Sequence, residues 1–170
     1  MDPEFERIRG YLQTQAAKLS VPELADKVRA DMEQLRAAAE AVPAATFLDR
    51  PSEDSWSANE VMAHVVDGGK AVARSITGVL DSGQKPGPTF VDRMEKTETE
   101  RSADAWWSAL VTDREALFAR VKQATGEEHL DVTWLHPMFG DLNWREWLLF
   151  LRIHDLDHAR QIQSISAAAV

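Results

Sequence analysis

Two short patterns constrain this chain more than any other: Ser20-Val-Pro-Glu23 and Ser57-Ala-Asn-Glu60, each at the head of an apolar repeat. In this spacing the serine hydroxyl accepts from the glutamate N–H, and the glutamate carboxylate reaches back to the serine N–H. Two donors left over at a helix start are then satisfied together. Pro22 adds to the first pattern, because its fixed φ suits an opening turn and its missing N–H would have no partner there. After Ser20, Leu24, Val28, Met32 (or Leu35) and Ala39 recur at helical spacing, which predicts a helix over 21–42. After Ser57, Val61, Val65, Val72, Ile76 and Val79 mark the inner face of a second, ending near residue 80.

Ser102 caps a third helix, with Trp106, Leu110, Leu117, Val121 and Ala124 on its inner side. Asn143-Trp-Arg-Glu146 opens a fourth, whose stripe runs Trp147, Leu151, His154, His158 and Ile162. Ahead of them Phe5, Ile8, Leu12 and Leu19 predict a shorter N-terminal helix, continuous with the next or kinked into it. Residues 81–101 and 126–142 lack any period; the first is polar, the second holds a proline and two glycines. Strand signals are short and isolated. Four amphipathic helices therefore predict an all-α four-helix bundle, with a short extra N-terminal helix and two long loops. Each loop is longer than a helix hairpin needs, so each is expected to cross over or cover one end of the bundle. A chain of 170 residues fits a single domain, 1–170, around one core.

Composition excludes several classes. A formal charge of −9, with basic residues scattered among acids, argues against a nucleic-acid binder, which needs a concentrated basic surface. No apolar run approaches the ~20 residues that span a bilayer, and the charged start MDPEFERIRG lacks the apolar segment expected of a signal peptide. A cytoplasmic location is expected by default. Cysteine is absent, so there is no disulfide, no thiolate metal site and no cysteine nucleophile.

The fourth helix carries His154-Asp-Leu-Asp-His158 inside an apolar run. At about 100° per residue, the two imidazoles project from one face, about 6 Å apart along the axis. They share the inward stripe of Trp147 and Leu151. On the second helix, His64 lies on or beside the buried face. A buried imidazole lacking a partner costs roughly 1–3 kcal/mol. One divalent metal would bind all three as neutral donors and leave a position open to water or substrate. The rival arrangement is a set of core histidines hydrogen-bonded to nearby acids, and spacing alone leaves both open. Glu60 and Asp67, one turn either side of His64, are candidates to orient a ligand; Asp155 and Asp157 point less favourably, and Gln161 could line the site. His136 is either a fourth ligand from the loop or a residue that shapes a turn. Trp106, Trp144 and Trp147 are expected in the core; Trp56 and Trp134 either pack there too or wall a pocket. The pair Gly68-Gly69 suggests close approach of another helix or a ligand next to His64, or else a kink, and Glu95 to Glu100 reads as solvated loop.

Two segments resemble the DinB/YfiT-like family. WSANEVMAHVVDGG (56–69) is similar to its Trp-Ser/Thr motif followed by a histidine-bearing helix. HPMFGDLNWREWLLFLRIHDLDHARQI (136–162) is similar to its C-terminal signature: a His-Pro-x-Phe-Gly turn, a helix-starting glutamate, then H-x-x-x-H before Gln-Ile. The resemblance implies a four-helix bundle in which His64, His154 and His158 bind a divalent metal, nickel or zinc. It also implies frequent homodimers and, in some relatives, thiol-dependent transferase or isomerase activity using glutathione, mycothiol or bacillithiol. Asp157 departs from the pattern, since relatives often carry a basic residue there.

The expected function is a metal-dependent enzyme, a thiol-dependent transferase or a hydrolase, acting on a small molecule through the three-histidine site. With no cysteine in the chain, a low-molecular-weight thiol would have to come as cosubstrate. The alternatives are a non-catalytic metal-binding or stress-associated dimeric bundle, and a metal-free structural bundle.

Overall fold

The computed structural model describes residues 2–89 and 97–168. Among them the chain forms α1 (Pro3–Lys18), α2 (Val21–Ala41), α3 (Ala58–Ser82), α4 (Ala103–Val121), β1 (Thr133–His136), β2 (Gly140–Asn143) and α5 (Trp144–Ala168), with a 3-10 turn at Ala44–Thr46. Both capping boxes close. Glu23 N–H donates to Ser20 Oγ at 3.3 Å and Ser20 N–H to the Glu23 carboxylate at 2.7 Å; the Ser57–Glu60 pair repeats this at 3.1 and 2.9 Å. Ser102 caps α4 from one side only, its hydroxyl accepting from Ala105 N–H. Leu19 and Ser20 are extended, so α1 is kinked away from α2 rather than continuous with it.

The four predicted helices make the bundle. α2 packs against α5 and α4, and α3 packs against α4 and α5, which sets α2 opposite α3 and α4 opposite α5 across the two diagonals. Leu24, Val28, Ile76, Leu110, Phe118 and Leu148 are among the side chains sealed in the middle. α1 lies outside this square and packs on α5. It is fastened by Arg145, whose buried guanidinium donates to Ala16 O (2.9 and 2.7 Å), Leu19 O and Gly126 O (3.0 Å). Gly126 is required there: its φ is +102°, and a Cβ would overlap Nη1 of Arg145.

One expectation needs correcting. Residues 126–142 are not all irregular, for β1 and β2 pair antiparallel with Thr133 opposite Asn143 and His136 opposite Gly140. The physical reason is the alternation of Trp134 and Leu142 towards the core with exposed Leu135 and Asp141. Trp134 stacks on Trp147 of α5 at 5.4 Å. Asn143 ends the hairpin and starts α5: its side-chain oxygen accepts from Arg145 and Glu146 N–H, and its own N–H donates to the Glu146 carboxylate. α5 begins where predicted but runs on to Ala168.

Of the other expected loop, residues 90–96 lie outside the described residues, as do Glu95 and Lys96 of the acidic run; Glu98, Thr99 and Glu100 are exposed. Asn59 fastens the chain entering α4, donating to Thr99 O and accepting from Arg101 N–H and Trp106 Nε1. No helix among the described residues is long and apolar enough to cross a membrane.

Candidate metal centre

Each ligand candidate is placed by a regular helix. The Ser57 cap fixes the start of α3 and so the direction of His64; the Asn143 cap does the same for His154 and His158, one turn apart on α5. Because α3 and α5 are neighbours in the square, the three rings meet. Nε2 of His154 lies 3.2 Å from Nε2 of His64 and 3.2 Å from Nε2 of His158. One ring nitrogen from each of the three falls within 4.8 Å of the other two. One Nε2 can take part in a single in-plane hydrogen bond, yet that of His154 faces two others equally. Nitrogens held at about 2.0–2.1 Å from a common tetrahedral ion stand about 3.3 Å apart, so this donor set fits a divalent metal.

The surroundings favour a neutral imidazole at His154. His158 Nδ1 is 2.7 Å from Gln161 Oε1, an acceptor, so the proton sits on Nδ1 and the Nε2 lone pair faces the cluster. Burial, then the neighbouring His158 and His64, hold the His154 imidazole well below its ordinary pKa. Trp56 walls the site, its ring parallel to that of His158 at 6.4 Å and 5.0 Å from that of His64. All three histidines line a cleft of about 1070 Å³, which α1 also lines with Phe5, Ile8 and Tyr11. The Tyr11 hydroxyl accepts from Arg152, which also pairs with Asp31.

Other candidates fall elsewhere. Glu60 is held by Arg50 and by its own capping box, and Asp67 is exposed, so neither orients His64. His136 is no fourth ligand: its Nδ1 accepts from the N–H groups of Met138 and Phe139 and closes the hairpin turn. His129 sits against Gly83, in the turn that ends α3. Trp134 belongs to the core, whereas Trp56 lines the cleft. Sequence reasoning missed α1 as a wall, and it missed the destination of Asp155, which pairs inside the bundle with Arg114. Gly69 is indeed closely approached, by the guanidinium of Arg114.

Burial pushes the His136 imidazole down to about 4. Between that value and its ordinary 6.5 the unfolded chain binds a proton that the native state refuses, so stability rises with pH across this window. Above pH 6.5 the contribution is complete; on acidification to pH 4 roughly 3 kcal/mol is lost from this residue, with His154 acting in the same direction. Urea unfolding of chelator-treated protein between pH 7.5 and 4.5 should show this slope, and His136→Gln should flatten it. An unchanged slope in the variant would contradict the assignment.

The sequence profile of the DinB superfamily matches residues 26–162, a span that starts within α2 and contains all three histidines. Comparison with curated protein sequences finds no match. Among solved structures, TT2238, a four-helix bundle protein, superposes with a TM-score of 0.63 at 21% identity, covering 85% of this chain and 98% of that one. The mycothiol-dependent maleylpyruvate isomerase superposes with a TM-score of 0.57 at 17% identity. That alignment covers 86% of this chain but 62% of the isomerase, so the chain spans less than two thirds of that enzyme. At such identities both neighbours speak for the fold alone. The profile match, running from the first bundle helix to the last, makes the chain a member of the DinB superfamily.

Proposed function

We propose that His64, His154 and His158 hold one divalent metal ion, nickel or zinc, and that the protein acts there on a small molecule together with a low-molecular-weight thiol. The observation that carries this reading is the convergence of three Nε2 atoms at the floor of an open cleft. Imidazole donors suit nickel and zinc, and three of them leave coordination positions for a ligand entering from the cleft. When bound, the metal supplies Lewis acidity that favours the thiolate of a thiol, or the hydroxide of a water, at neutral pH.

The chain's own residues do the rest. Gln161 fixes the tautomer and tilt of His158. Trp56 and the apolar side chains of α1 exclude bulk water from two sides. Asp157 lines the cleft without the positive charge common at this position in the family. Arg7 and Arg160 also line it, and supply cationic groups for an anionic thiol or substrate. With no cysteine in the chain, the thiol is a cosubstrate.

Cobalt substitution tests the reading. The visible spectrum of the cobalt protein should change when azide or a small thiol such as glutathione is added, and the change should saturate. A metal that merely staples helices would give a spectrum indifferent to both.

A further inference from the structure

Arg114 of α4 and Asp155 of α5 form a bidentate ion pair in the middle of the bundle. Nη1 donates to Oδ2 and Nη2 to Oδ1, each at 2.8 Å, with 1% and 0% of the two side chains exposed. α4 and α5 stand on a diagonal of the square, so this contact crosses the bundle axis. The guanidinium passes over Gly69 of α3, where a Cβ would lie 3.5 Å from both Nε and Nη2 of Arg114; anything larger than alanine would displace it. One pair thus touches the three helices that carry or back the histidine cluster. Asp155 directly follows His154, about 100° around α5. When Asp155 points to the axis, His154 is turned to the cleft side.

Stability does not account for this pair. Desolvating two charges is expensive, and apolar side chains of similar volume stabilise a core as well or better. What a bidentate pair adds is geometry: a planar fork meets a carboxylate in one orientation only. A rotation of α5 by one residue, or a slide by one turn, would break both bonds and part the three nitrogens.

We propose that Arg114 and Asp155, seated over Gly69, are positioning residues that set the rotation and register of α5 against α3 and so hold His154 and His158 onto His64. The proposal rests on the metal reading above only in part, because the placement of the rings exists without metal.

The test uses the full chain as wild type, as Arg114→Lys, and as the double variant Arg114→Met with Asp155→Leu. Three readouts are compared: the urea midpoint, the cobalt dissociation constant with its spectrum, and the ring C–H resonances of His158 in metal-free protein. The last report on register through the ring current of Trp56, which lies parallel to His158. The double variant should regain wild-type stability yet bind cobalt at least about tenfold more weakly, with displaced His158 signals. Arg114→Lys keeps the charge, loses the fork and should show the same displacement with a smaller loss of affinity. Wild-type affinity, within about twofold, with unmoved His158 signals in either folded variant overturns the proposal. If the double variant does not fold, Arg114→Lys decides alone. If wild type binds no cobalt, the metal reading fails, and the metal-free spectra of the same variants still judge the positioning role.

Discussion

Replacing His154 by alanine weakens nickel or zinc binding by more than a hundredfold, the largest loss expected from any single substitution in the cleft. The reason lies in its central place: its Nε2 is the atom that both other ring nitrogens approach to 3.2 Å, so its removal leaves His64 and His158 without their common neighbour. Partners outside the coordination sphere are worth about 10–100-fold in metal affinity, so a ligand must exceed that range. Gln161→Leu supplies the comparison. It removes only the acceptor for His158 Nδ1–H, and should fall inside that range while leaving the metal-free protein's stability nearly unchanged. Competition titration against a chromophoric chelator ranks the series. Wild-type affinity in His154→Ala would remove the cluster from any account of metal binding.

The largest loss of stability is expected from Arg145→Leu. Its guanidinium donates to three carbonyls, from Ala16, Leu19 and Gly126, that are drawn from two distant junctions. Leucine fills part of the volume but returns no donor, and buried acceptors without donors are penalised. A charged donor contributes about 1.5–3 kcal/mol per hydrogen bond, and with sharing among them a net loss of about 3–5 kcal/mol is expected in urea unfolding. The effect should also be local. Trypsin should cut after Lys18 faster than in wild type, because the junction between α1 and α2 is what Arg145 fastens. Metal affinity should barely move, since all three histidines stand on α3 and α5. Equal trypsin resistance, or a stability loss below about 1 kcal/mol, would contradict this role for Arg145.

The contrast between these residues shows how legible the molecule is in its sequence. The bundle helices announce themselves because their signals are local: a serine or asparagine cap, a glutamate three residues on in α2, α3 and α5, and a repeat of 3.6. His154 and His158 are equally local, one turn apart on a stripe already identified by Trp147 and Leu151. The hairpin was not legible, since its strands are four residues each and are held by what lies across from them, Trp134 on Trp147 and Thr133 on Asn143. Acid partners misled for a related reason. One-turn spacing puts Glu60 within reach of His64, but the capping box and Arg50, ten residues earlier, claim its carboxylate. Arg114 and Asp155 are 41 residues apart, and nothing in either neighbourhood announces the other. The wall that α1 makes belongs to the same class: it depends on Arg145, which lies 129 residues from Ala16.

The function proposed for this cleft depends first on an ion being held there. Metal content is therefore the measurement that matters most. Protein purified without a histidine tag, incubated with excess nickel or zinc and freed of unbound ion, should retain about one equivalent by elemental analysis, and His154→Ala should retain none. Less than about a tenth of an equivalent in the wild type would contradict the account.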